Sequence, residues 1–355
     1  MVLNQVEMKE LLKKVNNRML YLTNDSIEET CPISNIDFNK WEWPQGVGLY
    51  GMWKYYKATG NDTYLKYIED WYQQRIAEGL PEKNVNTMAP MLTLACMAQE
   101  TDNKCQLELC NEWAQWIMEE MPRTEEQGIQ HIVSGREHYQ QMWDDTLFMT
   151  VLFLAKVGEI MNNEAYKSEA EYQFLLHIKY LQDRETGLWY HGWCFEGRHN
   201  FAKAFWARGN CWITAGIPEY LEISKSPESI KRYLIGILRN QVNKLAELQN
   251  EDGMWHTLLD DASSYVEASA TAGFAYGILK GINMKILPEK YLRIAEKAVN
   301  AVIGVIGADG TVGQVSYGTG MGADLQYYRD IPLCPMAYGQ SLTVMMLREA
   351  ILYRQ

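Results

Sequence analysis

Tyr139-Gln140-Gln141-Met142-Trp143-Asp144-Asp145-Thr146-Leu147-Phe148-Met149 sets two carboxylates beside a tryptophan, and the apolar run it opens continues to about residue 159. A run of that length without a polar face predicts a helix buried on all sides. The pattern returns at about 46–58, 87–99, 209–223, 268–281 and 338–352, most of these stretches opening on Gly, Ala, Thr or Ser. Between them lie charged, amphipathic stretches at about 4–22, 62–78, 103–120, 164–182, 227–249 and 288–305. In the first of these, Leu11, Val15, Met19 and Leu22 fall three or four residues apart beside Lys9, Lys13 and Arg18, giving one apolar stripe and one wet face. Six buried helices alternating with six half-buried ones predict an all-α fold, a closed (α/α)6 barrel occupying residues 1–355 as one domain.

Turn chemistry supports the alternation. Thr59-Gly60-Asn61-Asp62 is similar to Met161-Asn162-Asn163-Glu164: Gly or Asn ends an inner helix and an acid begins the outer one. On the return side, Glu185-Thr186-Gly187-Leu188-Trp189, Glu251-Asp252-Gly253-Met254-Trp255 and Ala308-Asp309-Gly310-Thr311-Val312 predict tight turns followed by one or two extended residues. The long irregular connections, at about 24–45, 121–144, 190–208 and 311–337, all precede an inner helix. They are therefore expected to line one mouth of the barrel, and a groove on that face is the expected site.

With 355 residues and 47% hydrophobic content, the chain can bury a large core. Its formal charge of −12 argues against nucleic acid or an anionic membrane as partner, so an anionic small molecule has to be met by a few placed cations. No apolar run reaches the roughly 18 residues of a membrane span, and residues 1–17 have the charge pattern of an amphipathic helix rather than a signal peptide. The expectation is a soluble, cytoplasmic protein with reduced thiols: its 7 cysteines form no CxxC pair, which leaves no disulfide framework or zinc motif. Phosphate-loop, dinucleotide, HExxH and GxSxG patterns are absent, so the available chemistry is carboxylate and imidazole. Aromatic residues at 12% exceed what core packing usually demands, and such rings serve as stacking platforms in sugar clefts.

Each mouth offers candidates with two readings. Asp144-Asp145 can cap a helix, or can supply a general acid whose pKa burial raises while the helix N-terminus and a nearby arginine lower it. Successive helical residues diverge by about 100°, so only one of the pair can face the groove; Asp145, which starts the apolar run, is the candidate, leaving Asp144 to cap or to face solvent. Trp43 reads as a hydrophobic staple or as a wall for a sugar ring, and better than Trp41 because it lies nearer the helix start. Asn86 reads first as an N-cap and second as a hydroxyl ligand. His131 and His138 are either solvated loop residues or ligand contacts. His191 and the Trp206-Ala207-Arg208-Gly209-Asn210-Cys211-Trp212 segment put cationic and aromatic groups where the fourth inner helix begins. Arg208 either caps neighbouring carbonyls or grips a carboxylate bidentately. Glu267 reads as a cap or first-turn acid, and Tyr327, Tyr328 and Tyr338 are within reach of the groove without being required there.

Gln141 to Met149, Thr186 to Trp193 and Phe205 to Trp212, in that order, resemble the signature blocks of the unsaturated rhamnogalacturonyl hydrolases, glycoside hydrolase family 105; Trp41–Gly51, Glu267–Gly281 and Tyr338–Glu349 fit as well. The resemblance implies an (α/α)6 barrel without metal or organic cofactor, acting on an oligosaccharide that ends in a 4,5-unsaturated uronic acid. It implies Asp145 as catalytic acid and His191, Trp206, Arg208 and Trp212 as substrate contacts, to which Trp43, Asn86 and His138 are added as expected substrate-binding residues. Two positions depart from the pattern: Asn86 stands where related enzymes often carry Asp, and Cys211 where Gly is usual. Unsaturated glucuronyl hydrolases, with the same barrel and chemistry, are the nearest alternative; a sugar epimerase with histidine acid and base, or a non-catalytic sugar binder, are further ones.

Overall fold

A computed structural model describes residues 3–22 and 36–354. The amphipathic stretches become α1 (Gln5–Met19), α3 (Asp62–Glu78), α5 (Lys104–Glu119), α7 (Glu164–Leu181), α9 (Glu228–Leu248) and α11 (Leu292–Gly304). Among the apolar ones, α2 (Trp43–Thr59), α4 (Val85–Glu100), α6 (Leu152–Met161), α8 (Ala207–Ile223), α10 (Ala268–Asn283) and α13 (Ala337–Tyr353) form the inner set. A short α12 (Leu325–Arg329) lies in the last long connection. Each inner helix packs on the next, α2 on α4, α4 on α6, α6 on α8, α8 on α10, α10 on α13 and α13 back on α2, so the ring closes. The outer helices pack behind them, α1 on α13, α3 on α2, α5 on α4, α7 on α6, α9 on α8 and α11 on α10. This is the (α/α)6 barrel that the twelve-stretch alternation predicts.

The helix ends follow from short polar side chains. Asn61, Asn103 and Asn163 accept from backbone N–H groups of the first turns of α3, α5 and α7, and Asn4 closes a capping box with Glu7 on α1. Gly60 and Asn162 end α2 and α6 in the left-handed region, at φ +65° and +50°. The inner helices approach closely: a Cβ on Gly51 would stand 2.9 Å from Ser341 Cα, and one on Gly46 would stand 2.8 Å from Ala89 Cβ.

Two expectations need correction. The run after Asp145 does not begin as an α-helix; Leu147–Val151 form a π-helical turn that passes into α6, a widening found at functional sites more often than elsewhere. Asn86 does not cap α4. Asn84 does, accepting from the N–H groups of Asn86 and Thr87 at 2.9 and 3.1 Å, while the Thr87 hydroxyl accepts from Asn84 N–H. That frees the Asn86 side chain from capping, two residues past the cap in the first turn of the helix. Residues 24–35 of the first long connection lie outside the described residues.

The far ends of the inner helices hold a cluster of charge. Tyr50, Lys54 and Tyr276 all donate to Glu219, and Lys54 and Lys280 donate to Glu222 at 3.0 and 2.7 Å. Burial works to raise the Glu222 carboxyl, but Lys54 and Lys280 outweigh it and hold it at about 2. Lysines here also face the negative ends of their helices.

Candidate active site

Three short ribbons shape the mouth. β1 (Ile132–Val133) pairs with β2 (Arg136–Glu137), β3 (Gln141–Trp143) with β4 (Gly192–Cys194), and β5 (Trp255–His256) with β6 (Val266–Glu267), all antiparallel. The β3–β4 ribbon stitches the connection before α6 to the one before α8: Trp143 lies opposite Gly192, and Asp144 N–H donates to the His191 carbonyl at 3.0 Å. Two segments about fifty residues apart thereby deliver Asp145 and His191 to one cavity of about 150 Å³.

All eight residues singled out from the sequence line it: Trp43, Asn86, His138, Asp145, His191, Trp206, Arg208 and Trp212. His131, Ser134, Arg136, Trp143, Thr319 and Gly320 complete much of the wall. Three long connections, 121–144, 190–208 and 311–337, do converge there, and Trp43 enters from the end of 24–45. Trp41 turns away into the core, where it stacks on Trp71 at 5.4 Å and donates to the Thr87 carbonyl.

Asp145 occupies the floor. Its side chain keeps 18% exposure, and Oδ1 lies 3.8 Å from His131 Nδ1. Burial raises its pKa to about 7, against the N–H groups of Asp145 and Thr146 and the Arg208 charge, which pull it down. Asp144 takes neither of its expected roles. It is fully buried behind Asp145, with no hydrogen-bond partner for either carboxylate oxygen among the described residues. It packs on Gly209 at the start of α8, where a Cβ would stand 3.0 Å from the Asp144 Cγ. Burial first, and the Asp145 charge second, hold its proton on well above the usual carboxylate range. A side chain at 209 would displace this carboxylate, which is the physical reason for glycine there.

The walls are aromatic. His131 stacks on Trp143 with centroids 3.8 Å apart, and His138 leans on the same indole at 4.6 Å. His191 packs between Trp143 and Trp206 and lies 2.8 Å, through Nδ1, from the Tyr328 hydroxyl. Burial, aided by Arg136, lowers His138 to about 4; burial, aided by Arg208, lowers His191 to about 3; and burial with its histidine neighbours takes His131 well below its ordinary value. At neutral pH these imidazoles carry no charge. Trp43 stacks on Tyr338 at 4.7 Å and meets Trp212 edge-on. Cys211 points away from the cavity, packing on Gly273 of α10, so it does not narrow the groove.

Arg208 is 1% exposed and is clamped between the rings of Trp206 and Tyr338, 4.5 and 5.0 Å away. Nη1 donates to the Ser316 carbonyl at 2.7 Å and to the Ser316 hydroxyl, and Nη2 donates to the Tyr317 carbonyl at 2.7 Å. Of the two sequence readings, the carbonyl-capping one accounts for these nitrogens. Only Nε lacks a partner among the described residues. Glu267, the N-cap of α10, fixes this arrangement by accepting from Ser269 and Ala270 N–H groups and from Ser316 N–H at 2.7 Å.

Sequence reasoning did not select Ser316 or Glu42 for the site and left Tyr328 within reach of the groove without a role. Tyr328 orients His191, Ser316 holds Arg208, and Glu42 caps α2 while accepting from the Ser134 hydroxyl at 3.2 Å and from the Asn86 amide. Only the Glu42-Trp43-Pro44 order, an acid before a helix-starting proline, marks one of these locally. The other two act across 137 and 108 residues of chain, beyond the reach of any local pattern.

Comparisons with known proteins show what this chain is similar to. The profile of Glycosyl Hydrolase Family 88 matches residues 12–353. The unsaturated rhamnogalacturonyl hydrolase YesR of Bacillus subtilis (strain 168) is 31% identical over 319 residues, 89% of this chain and 91% of that protein. A crystal structure of a possible member of the GH105 family from Salmonella enterica subsp. enterica serovar Paratyphi A is 48% identical, covers 100% of this chain and 96% of its own, and superposes with a TM-score of 0.96. The unsaturated glucuronyl hydrolase of Bacillus sp. GL1, at 19% identity, 87% and 86% coverage and a TM-score of 0.69, shares the fold.

Proposed function

This chain belongs to Glycosyl Hydrolase Family 88, and on that premise we propose that it removes a terminal 4,5-unsaturated galacturonic acid from rhamnogalacturonan-derived oligosaccharides by hydrating the C4=C5 bond, with Asp145 as general acid. The observation that carries the proposal is the Asp145 carboxyl in the cavity floor, held protonated up to about pH 7 by burial. The C4=C5 bond is conjugated to the ring oxygen as an enol ether, so C4 is electron-rich. Asp145 gives its proton to C4, leaving an oxocarbenium ion at C5; water adds at C5 and returns a proton to the carboxylate. The C5 hemiketal opens, and the glycosidic oxygen at C1 then leaves with the neighbouring sugar. A positioned acid of matched pKa contributes about 10²- to 10⁴-fold.

The remaining wall suits a sugar ring. Trp43, Trp206 and Trp212 offer apolar faces, Asn86 and the neutral imidazoles of His138 and His191 exchange hydrogen bonds with hydroxyls, and the Arg208 charge, which favours the ionised form of Asp145, stabilises the carboxylate left when the proton is given up. No helix among the described residues is long and apolar enough to cross a membrane. The test is Asp145→Asn with unsaturated galacturonyl-rhamnose, following the ultraviolet absorbance of the conjugated double bond. Turnover is expected to vanish in a protein of unchanged fold; retained turnover overturns the assignment.

A further inference from the structure

The proposed substrate is an anion, and the cavity that receives it is lined by only two formal positive charges among the described residues, Arg136 and Arg208. The three imidazoles in the wall are neutral for the reasons given above, and Arg208 directs both terminal nitrogens at main-chain carbonyls. A guanidinium so committed has no free pair of parallel donors at its tip for a carboxylate. Arg136 is in the opposite condition. Its side chain is exposed and makes no hydrogen bond or ion pair with any described residue, its backbone being held in the β1–β2 pair. Its neighbour Glu137 is engaged by the Gln130 amide at 2.6 Å instead.

The ribbon that carries Arg136 is held in place. Its turn, Ser134-Gly135, runs through a glycine at φ +68°. Ser134 donates to Glu42, and the Asn84 amide donates to the Ser134 hydroxyl at 3.1 Å, tying the turn to the starts of both α2 and α4. His138 two residues on feels the Arg136 charge. A cation presented at the rim by an anchored hairpin, unpaired in a chain of net charge −12, is an unmatched half of an ion pair.

From this we infer that Arg136 carries recognition of the uronate carboxylate, making the site select the free acid over its methyl ester. The inference rests on the substrate class proposed above. Esterification removes the negative charge and also withdraws electrons from C5, where the cation develops, so recognition is read from how the acid-over-ester preference changes between wild type and the Arg136 variants, which share the same chemical step. A hydrogen bond to a charged group supports a difference of about ten- to hundredfold. The experiment compares unsaturated galacturonyl-rhamnose and its methyl ester as substrates of the wild-type protein and of Arg136→Gln and Arg136→Lys. The wild type is expected to prefer the acid by about ten- to hundredfold in kcat/KM. Arg136→Gln should narrow that preference through a higher KM on the acid, with the ester little changed, and Arg136→Lys should keep more of it. A preference unchanged in Arg136→Gln, or an equal loss on both substrates, overturns the inference. Calorimetric titration of the same acid disaccharide into Asp145→Asn, with and without Arg136→Gln, reads binding without turnover: equal affinities overturn the inference too. If wild-type protein consumes neither compound, it is the proposed substrate that fails, and this binding arm still decides the role of Arg136.

Discussion

The pKa of Asp145 turns the proposed mechanism into a pH profile. A tenfold change in proton affinity is worth about 1.4 kcal/mol, so a rise from 3.8 to about 7 disfavours the ionised carboxylate by about 4 kcal/mol. As a general acid the group must be protonated in the free enzyme. The value of kcat/KM is therefore expected to be level on the acid side, to reach half near pH 7, and to fall about tenfold by pH 8. An aspartate of ordinary acidity would instead be protonated in only about one molecule in a thousand at pH 7, and the profile would bend near pH 4. Stability should follow the same linkage. The folded-state pKa lies above the unfolded one, so the stabilising contribution of Asp145 is complete below about pH 4 and is lost as pH rises through about 7. Asn cannot ionise and suffers no such loss. Asp145→Asn should therefore gain on the wild type between about pH 4 and 7 and stay ahead above it, by up to about 4 kcal/mol. The assays are initial rates by ultraviolet absorbance from about pH 3 to 9 and denaturant unfolding over the same range. A rate midpoint near pH 4, or a stability gap that does not widen with pH, refutes the reasoning.

Other perturbations probe the supports of the site. Tyr328→Phe removes the hydroxyl 2.8 Å from His191 Nδ1 and should lower kcat/KM by roughly tenfold, the worth of one hydrogen bond, with the unfolding midpoint within a degree or two; an unchanged rate would free His191 from this partner. Gly209→Ala presses a methyl on the buried Asp144 carboxylate and should destabilise by about 1–3 kcal/mol, with activity lost alongside; a neutral effect in urea unfolding would mean that Asp144 can move. Glu219→Ala breaks the buried cluster at the far ends of α2, α8 and α10 and should cost about 3–5 kcal/mol. Because Glu219 lies eleven residues, about 16 Å, along α8 from Arg208, KM measured below the unfolding midpoint should not change; a raised KM would show that the two ends are coupled.

Much of the molecule is legible in the sequence because its determinants are local. Hydrophobic periodicity separates inner from outer helices, since a helix without a polar face must be buried and one with a single apolar stripe must lie against it. Asn and Gly set the ends, and the observed helices begin and end within a few residues of the expected positions. The connections that lead into inner helices were long, so their convergence on one mouth, with all eight chosen residues in it, follows from the alternation itself. What the sequence could not decide depends on which groups meet. The start of the apolar run picks Asp145 for the groove but leaves Asp144 to cap or to face solvent; the β3–β4 ribbon and Gly209 bury Asp144 instead. Arg208 reads equally well as a carboxylate fork or a carbonyl cap until the 311–337 connection brings Ser316 and Tyr317 to its terminal nitrogens. Asn86 reads as a cap until Asn84 takes that place. For Asp144 and Arg208 the chemistry of the side chain is fixed by its residue type, while its role is fixed by desolvation and by partners far along the chain, Gly209 for the one and Ser316 and Tyr317 for the other, which only the closed ring of helices brings together.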